Sequence, residues 1–145
     1  MMSLPHKSPP IVVTRNDHER LSELTSAALR QMPHVGEFLA DELDRAQVVD
    51  ADKIAPTVVT MHSRVEFKDD ATGERRTITL VYPGEQDIAE GKVSILTPIG
   101  AALLGLSEGQ SIERETPKGE WKSLTVVKLL FQPQAEQSRD ALPSA

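Results

Sequence analysis

Near Lys53 the spacing of apolar residues changes from about 3.6 to 2, and this switch divides the chain into a helical part and a strand part. Before it, Leu21, Leu24 and Ala28 recur at helical intervals behind a candidate cap at Asn16 or Thr14, with Glu19 at capping-box distance from Asn16. A helix from about Asp17 to Gln31 follows. Pro33 and Gly36 punctuate the next stretch. Beyond them Phe38, Leu39, Leu43 and Ala46 form one face of a second amphipathic helix whose other faces carry Glu37, Asp41, Glu42 and Asp44. Two helices joined by a turn of a few residues fold back on each other. Residues 10–50 therefore read as a short antiparallel helical hairpin, each arm roughly 20 Å long at the rise of an α-helix.

After Lys53, Val59, Met61, Val65 and Phe67 alternate with Thr60, His62, Arg64 and Glu66, the pattern of a half-buried strand. The turn at Asp69-Asp70-Ala71-Thr72-Gly73 leads to a second strand with Ile78, Leu80 and Tyr82 on one side, ended by Pro83-Gly84. Lys92 to Leu96 is a third. Thr97-Pro98 then caps and starts a short helix in the apolar run Ile99 to Leu106. Ser111 to Glu115 and Leu124 to Phe131 complete five strands, the last apolar on both faces and so placed centrally. The fold class is α+β, with residues 53–132 forming an antiparallel sheet and one helix. Residues 1–9, with two prolines, read as a flexible lead-in, and residues 133–145 as a flexible tail.

The formal charge of −6 and the scattering of sixteen basic residues argue against general nucleic-acid or membrane-surface binding, which needs clustered Lys and Arg. A protein surface suits this balance better. The absence of cysteine removes disulfides, thiolate nucleophiles and Cys-ligated zinc. No apolar run approaches the roughly 20 residues of a membrane helix, and Met1 to Pro10 lacks a signal-peptide core, so a cytoplasmic protein is expected. Phosphate-loop, zincin and nucleophile-elbow patterns are missing, which leaves no cofactor or metal to expect.

Four ordered pieces carry a resemblance. They are Gly84-Glu85-Gln86-Asp87-Ile88, the run from Gly91 to Leu106, Glu108-Gly109-Gln110, and Thr116-Pro117-Lys118-Gly119. Together they resemble the carboxy-terminal signature of the Gre transcript-cleavage factors. With Phe38 to Ala46 and Val65-Glu66-Phe67 added, the resemblance narrows to Rnk, the regulators of nucleoside diphosphate kinase. It implies an FKBP-like domain gripping the rim of the secondary channel of RNA polymerase, with a coiled-coil hairpin directed into the pore. The implied polymerase contacts are Asp87, Ile88, Thr97, Pro98, Ile99 and Gly100, and at the hairpin tip His34 and Glu37. Gre factors place acidic residues at the tip of a longer coiled coil to help hold a magnesium ion. Here the tip offers one carboxylate, Glu37, on a shorter hairpin. The expectation is a non-enzymatic, monomeric regulator that competes with Gre- or DksA-type factors without stimulating RNA cleavage.

Plainer readings stand beside these. Ile99, Leu103 and Leu104 suit a core, Thr97 and Pro98 suit a helix start, and Asp87 suits a local cap. Asp41, Glu42 and Asp44 read as a solvated helix face with an Asp41–Arg45 pair. His6, His18, His34 and His62 read as isolated surface or strand-face residues. Peptidyl-prolyl isomerase activity, which the implied fold invites, is opposed by a complement of only three Phe, one Tyr and one Trp. Direct regulation of nucleoside diphosphate kinase is the remaining alternative, and no nucleotide-binding motif supports it.

Overall fold

The computed structural model describes residues 10–115 and 118–136. The chain opens with β1 (Val12–Thr14) and passes directly into α1 (Arg15–Gln31). Of the two candidate caps it is Thr14 that acts: its Oγ1 accepts the Asp17 N–H at 3.2 Å, and the helix starts two residues earlier than the sequence spacing suggests. Leu21, Thr25 and Ala28 are its buried stripe.

The expected turn of several residues between the helices shrinks to Met32. Pro33 begins α2 (Pro33–Arg45), because a residue without an N–H loses nothing at the first helical position. Gly36 lies within that helix and serves packing: a Cβ there would sit 2.8 Å from the Leu29 nitrogen and 2.9 Å from the Ala28 carbonyl carbon. His18 Nε2 lies 3.1 Å from the Leu43 carbonyl oxygen, so the start of α1 meets the end of α2 and the helices run back along each other. The chain then forms β2 (Gln47–Val49), which pairs in parallel with β1, a strand the sequence did not announce.

The main sheet contains β3 (Arg64–Asp69), β4 (Arg75–Val81), β5 (Lys92–Ser94), β6 (Ser111–Glu115) and β7 (Trp121–Phe131), in the order β5-β4-β3-β7-β6. It is mixed rather than antiparallel as expected. The crossover from Tyr82 to Gly91 brings β5 alongside β4 in the same direction, while the other pairs are antiparallel. β3 also begins later than its alternating pattern indicates. Thr60 to Ser63 is a turn, closed by the Ser63 N–H on the Thr60 carbonyl at 3.1 Å and by the Thr60 N–H on Ser63 Oγ at 2.8 Å. Val59 and Met61 are buried all the same, so their alternation reports burial and not a strand. β7 is an interior strand, yet Leu130 and Phe131 at its end are nearly half exposed.

α3 (Pro98–Leu103) lies against the sheet. Leu21, Val35, Leu39 and Leu43 of the two helices share one buried cluster with Val65, Phe67, Ile78, Leu80, Leu124 and Val126 of the sheet and Ala101 to Leu104 of α3 and its end. The helix pair is thus packed onto the sheet side of the molecule, in contrast to the projecting hairpin the resemblance pictures. Residues 133–136, expected to be part of a flexible tail, form a helical turn. They are tied down by Gln132, whose Nε2 donates to the Ala55 and Val58 carbonyls, and by Gln134, whose Oε1 accepts from Thr60 Oγ1 at 2.8 Å. The lead-in at 1–9, the rest of the tail, and Thr116 and Pro117 of the quoted motif lie outside the described residues.

Candidate interaction surface

Between β4 and β5 the chain must reverse its progress and return in parallel, and the crossover that does so exposes every residue from Pro83 to Glu90. Exposed though they are, these residues are fixed locally. The Gly84 N–H donates to Gln86 Oε1 at 2.6 Å and the Tyr82 N–H to Glu85 Oε1 at 3.0 Å. Asp87 and Lys92 exchange two backbone hydrogen bonds, of 3.0 and 2.9 Å, and Asp87 Oδ1 accepts the Glu90 N–H at 3.4 Å as the cap of a short 3₁₀ turn. Gly91, at φ 72°, closes that turn. Ile88 is 94% exposed on this hydrogen-bonded loop.

The loop is braced to α1. His62, a non-glycine residue at φ 68°, places its Nε2 2.9 Å from Glu85 Oε1 and its ring edge-on to Tyr82, with centroids 5.6 Å apart. Tyr82 OH donates to Asp17 Oδ1 at 3.2 Å, and the Met61 N–H donates to Asp17 Oδ2 at the same distance. The Arg20 guanidinium lies over the Tyr82 ring, 3.8 Å from its centre. Burial raises the Asp17 carboxyl pKa despite these donors, and burial together with the Asp17 charge raises that of the Tyr82 hydroxyl. Glu85 is held below its usual value by the His62 hydrogen bond and then by the Tyr82 amide.

The second stretch of interest is consumed by the fold. Thr97 Oγ1 accepts the Gly100 N–H at 3.0 Å and donates to the Ser94 carbonyl at 2.8 Å, capping α3, and Pro98 occupies its first position. A Cβ on Gly100 would lie 2.4 Å from the Ser94 carbonyl oxygen and 3.1 Å from Leu80 Cδ1. Ile99 packs against the core. At the other end of the helix pair, His34 and Glu37 are exposed, and His34 lines a crevice with Pro98.

Residues 9–49 match the family described as Rnk N-terminus, and residues 54–130 match Transcription elongation factor, GreA/GreB, C-term. The regulator of nucleoside diphosphate kinase from Escherichia coli strain K12 is 41% identical over 131 residues, covering 88% of this chain and 93% of that protein. The chain belongs to the Rnk family. Its second part is also similar to transcription elongation factor GreA of Azorhizobium caulinodans, 37% identical over 81 residues that cover 56% of this chain and 52% of that protein. Among solved structures, a prokaryotic transcription elongation factor GreA/GreB from Nitrosomonas europaea is 40% identical and superimposes with a TM-score of 0.67, covering 86% of this chain and 100% of that one.

Within this Rnk-family chain the residues singled out by sequence fall into two groups. His34 and Pro98 are brought together at the junction of α2 and α3, and Thr97, Ile99 and Gly100 build that junction. Asp87 and Ile88 sit on the crossover loop beside the His62–Glu85 pair. Sequence reasoning missed the brace: His62 is not isolated from carboxylates, and Asp17, Arg20, Tyr82 and Glu85 meet it or each other across separations that periodicity does not report. It also misjudged Glu42, which is 3% exposed and pairs with Arg45 in place of the expected Asp41–Arg45 pair. Among the described residues, no three His, Asp or Glu side chains are grouped so as to hold a metal ion. None of the described helices is long and apolar enough to cross a membrane.

Proposed function

We propose that this chain regulates transcription by docking on RNA polymerase at the rim of the secondary channel, through an FKBP-like domain, and competes there with Gre- and DksA-type factors as a cytoplasmic monomer. The observation that carries the reading is the crossover loop: a large apolar side chain, Ile88, is held out at 94% exposure on backbone fixed by its own hydrogen bonds. A partner surface meeting this loop would gain a pre-ordered apolar contact, with Asp87 beside it. The similarity to elongation factors supports polymerase as that partner.

Absence of cleavage stimulation is supported by the helix pair. α1 and α2 have 17 and 13 residues, so they span only about 25 and 20 Å. Their coiled-coil-like corner is held against α3 and β6 and carries one carboxylate, Glu37, near its tip. One carboxylate is a poor ligand set for a hard divalent ion.

Competition with a Gre factor for purified core polymerase, scored together with RNA cleavage in a backtracked complex, tests the reading. Displacement with cleavage at the intrinsic rate is expected; failure to displace, or cleavage above that rate, overturns it. Asp87→Arg is expected to weaken displacement about tenfold by reversing a rim charge, with only a small fall in Tm from loss of the 3₁₀ cap. The name of the Escherichia coli relative favours a second reading, direct action on nucleoside diphosphate kinase. Capture of that kinase without polymerase subunits would select it.

A further inference from the structure

Among the described residues, none supplies a counter-ion to one charge on the inward face of the sheet. Arg114 follows Ile112 by two residues on β6 and so shares its inward direction. It is only 9% exposed, and its Nε–H has no hydrogen-bond partner. Burial pushes the guanidinium pKa below its usual value. Arginine does not escape such a position by losing its proton, so its Nε–H stays unsatisfied until an acceptor arrives.

The surroundings suit one. Arg114 lines a crevice with His34, Val35 and Phe38 of α2 and Pro98 and Ala101 of α3. Its volume is about 10 Å³, room for a single oxygen-sized atom. His34 and Val35 are the second and third residues of α2, a 13-residue helix whose Met32 cap supplies no side-chain acceptor to the first-turn amides. The uncapped helix start and the guanidinium are independent sources of positive potential, and residues of both line the same narrow space. Phe38, Val35, Pro98 and Ala101 make its walls apolar.

We propose that this crevice receives one carboxylate, presented by an acidic side chain of the protein on which the chain docks. A planar carboxylate can send one oxygen to the floor of the crevice and meet the guanidinium fork with the other, while its aliphatic stem lies on Phe38 and Pro98. A phosphoryl group, with three acceptor oxygens around a tetrahedral centre, has neither the space nor enough donors here. The carboxylate site stands on the geometry alone; that its donor belongs to polymerase rests on the function proposed above.

The test separates these. In the full ¹⁵N-labelled chain, sodium acetate is titrated against sodium chloride and inorganic phosphate at equal ionic strength, following the Arg114 Nε–Hε and Val35 amide signals. Acetate is expected to shift both along one saturable curve, chloride to leave them in place, and phosphate to act about fivefold more weakly or not at all. Equal shifts with acetate and chloride, an Nε–Hε signal contacted only by a long-lived water and unmoved by acetate, or tighter binding of phosphate would each overturn the assignment. Arg114→Met, of similar length and uncharged, is expected to fold with an unchanged or raised Tm, to lose the acetate response, and to bind core polymerase about tenfold more weakly. Arg114→Lys, which keeps the charge without the fork, provides a second variant and is expected to retain less than about a fifth of the response. Polymerase binding by Arg114→Met equal to that of the unaltered chain would overturn polymerase as the donor. An acetate response in a chain that does not bind polymerase at all would support the crevice and count against the docking function alone.

Discussion

The crossover from Pro83 to Glu90 and the segment from Thr97 to Leu106 are neighbours in sequence and treat their side chains in opposite ways. In the first, every residue is exposed and the backbone holds itself. In the second, Gly100 to Leu106 are all buried, and Thr97 and Pro98 are occupied in starting a helix. Both belong to the same motif-rich stretch, so shared family residues there mix two physical demands. Packing and capping account for most of the second segment; they leave Ile88 in the first without a structural role.

That contrast can be broken in the interior first. Gly100→Ala drives a Cβ into the Ser94 carbonyl oxygen, a backbone atom that cannot swing aside, and is expected to cost about 3 kcal/mol in urea unfolding. A loss below about 1 kcal/mol would show that the segment tolerates what its packing forbids. The loop gives the reverse signature: Ile88→Ala is expected to weaken polymerase binding about tenfold, near 1.4 kcal/mol, with Tm unmoved. Thr97→Ala removes the α3 cap and is expected to cost about 1 kcal/mol of stability while polymerase affinity of the folded fraction stays the same. Lost affinity at full stability would move Thr97 from packing to contact.

The smallest effect concerns the brace. Because Glu85 is held below its ordinary value of 4.5, its contribution to stability is complete above that pH and is lost as pH falls through the lower folded value. Glu85→Gln is expected to cost about 0.5 kcal/mol near neutrality, the size of an exposed pair. Acid titration of unfolding should then show the two proteins converging as pH drops below 4.5.

Much of this was legible from residues alone where the signal is local. Leu21, Leu24 and Ala28 marked α1, Ile78 and Leu80 marked β4, and Thr97-Pro98 marked the start of α3. What failed was what depends on distant partners. Val59 and Met61 alternate because the core takes them, from a turn that Thr60 and Ser63 close. Gly36 looked like a break because its reason lies on the opposite helix, and β5 runs parallel because of how the crossover returns. Asp87 and Ile88 were visible through the family motif, but the His62–Glu85 and Tyr82–Asp17 contacts that position their loop were not. Arg114 had a signal that went unread: alternation from Ile112 puts it on the inward face.

The single-residue joint at Met32 limits how such a molecule could acquire a longer reach. Each residue inserted into the first turn of α2 would rotate the rest of that helix by about 100° and swing Leu39 and Leu43 away from the buried cluster. Growth that preserves the seam requires matched additions of about seven residues to both helices, so length would change in increments of roughly 10 Å, never gradually.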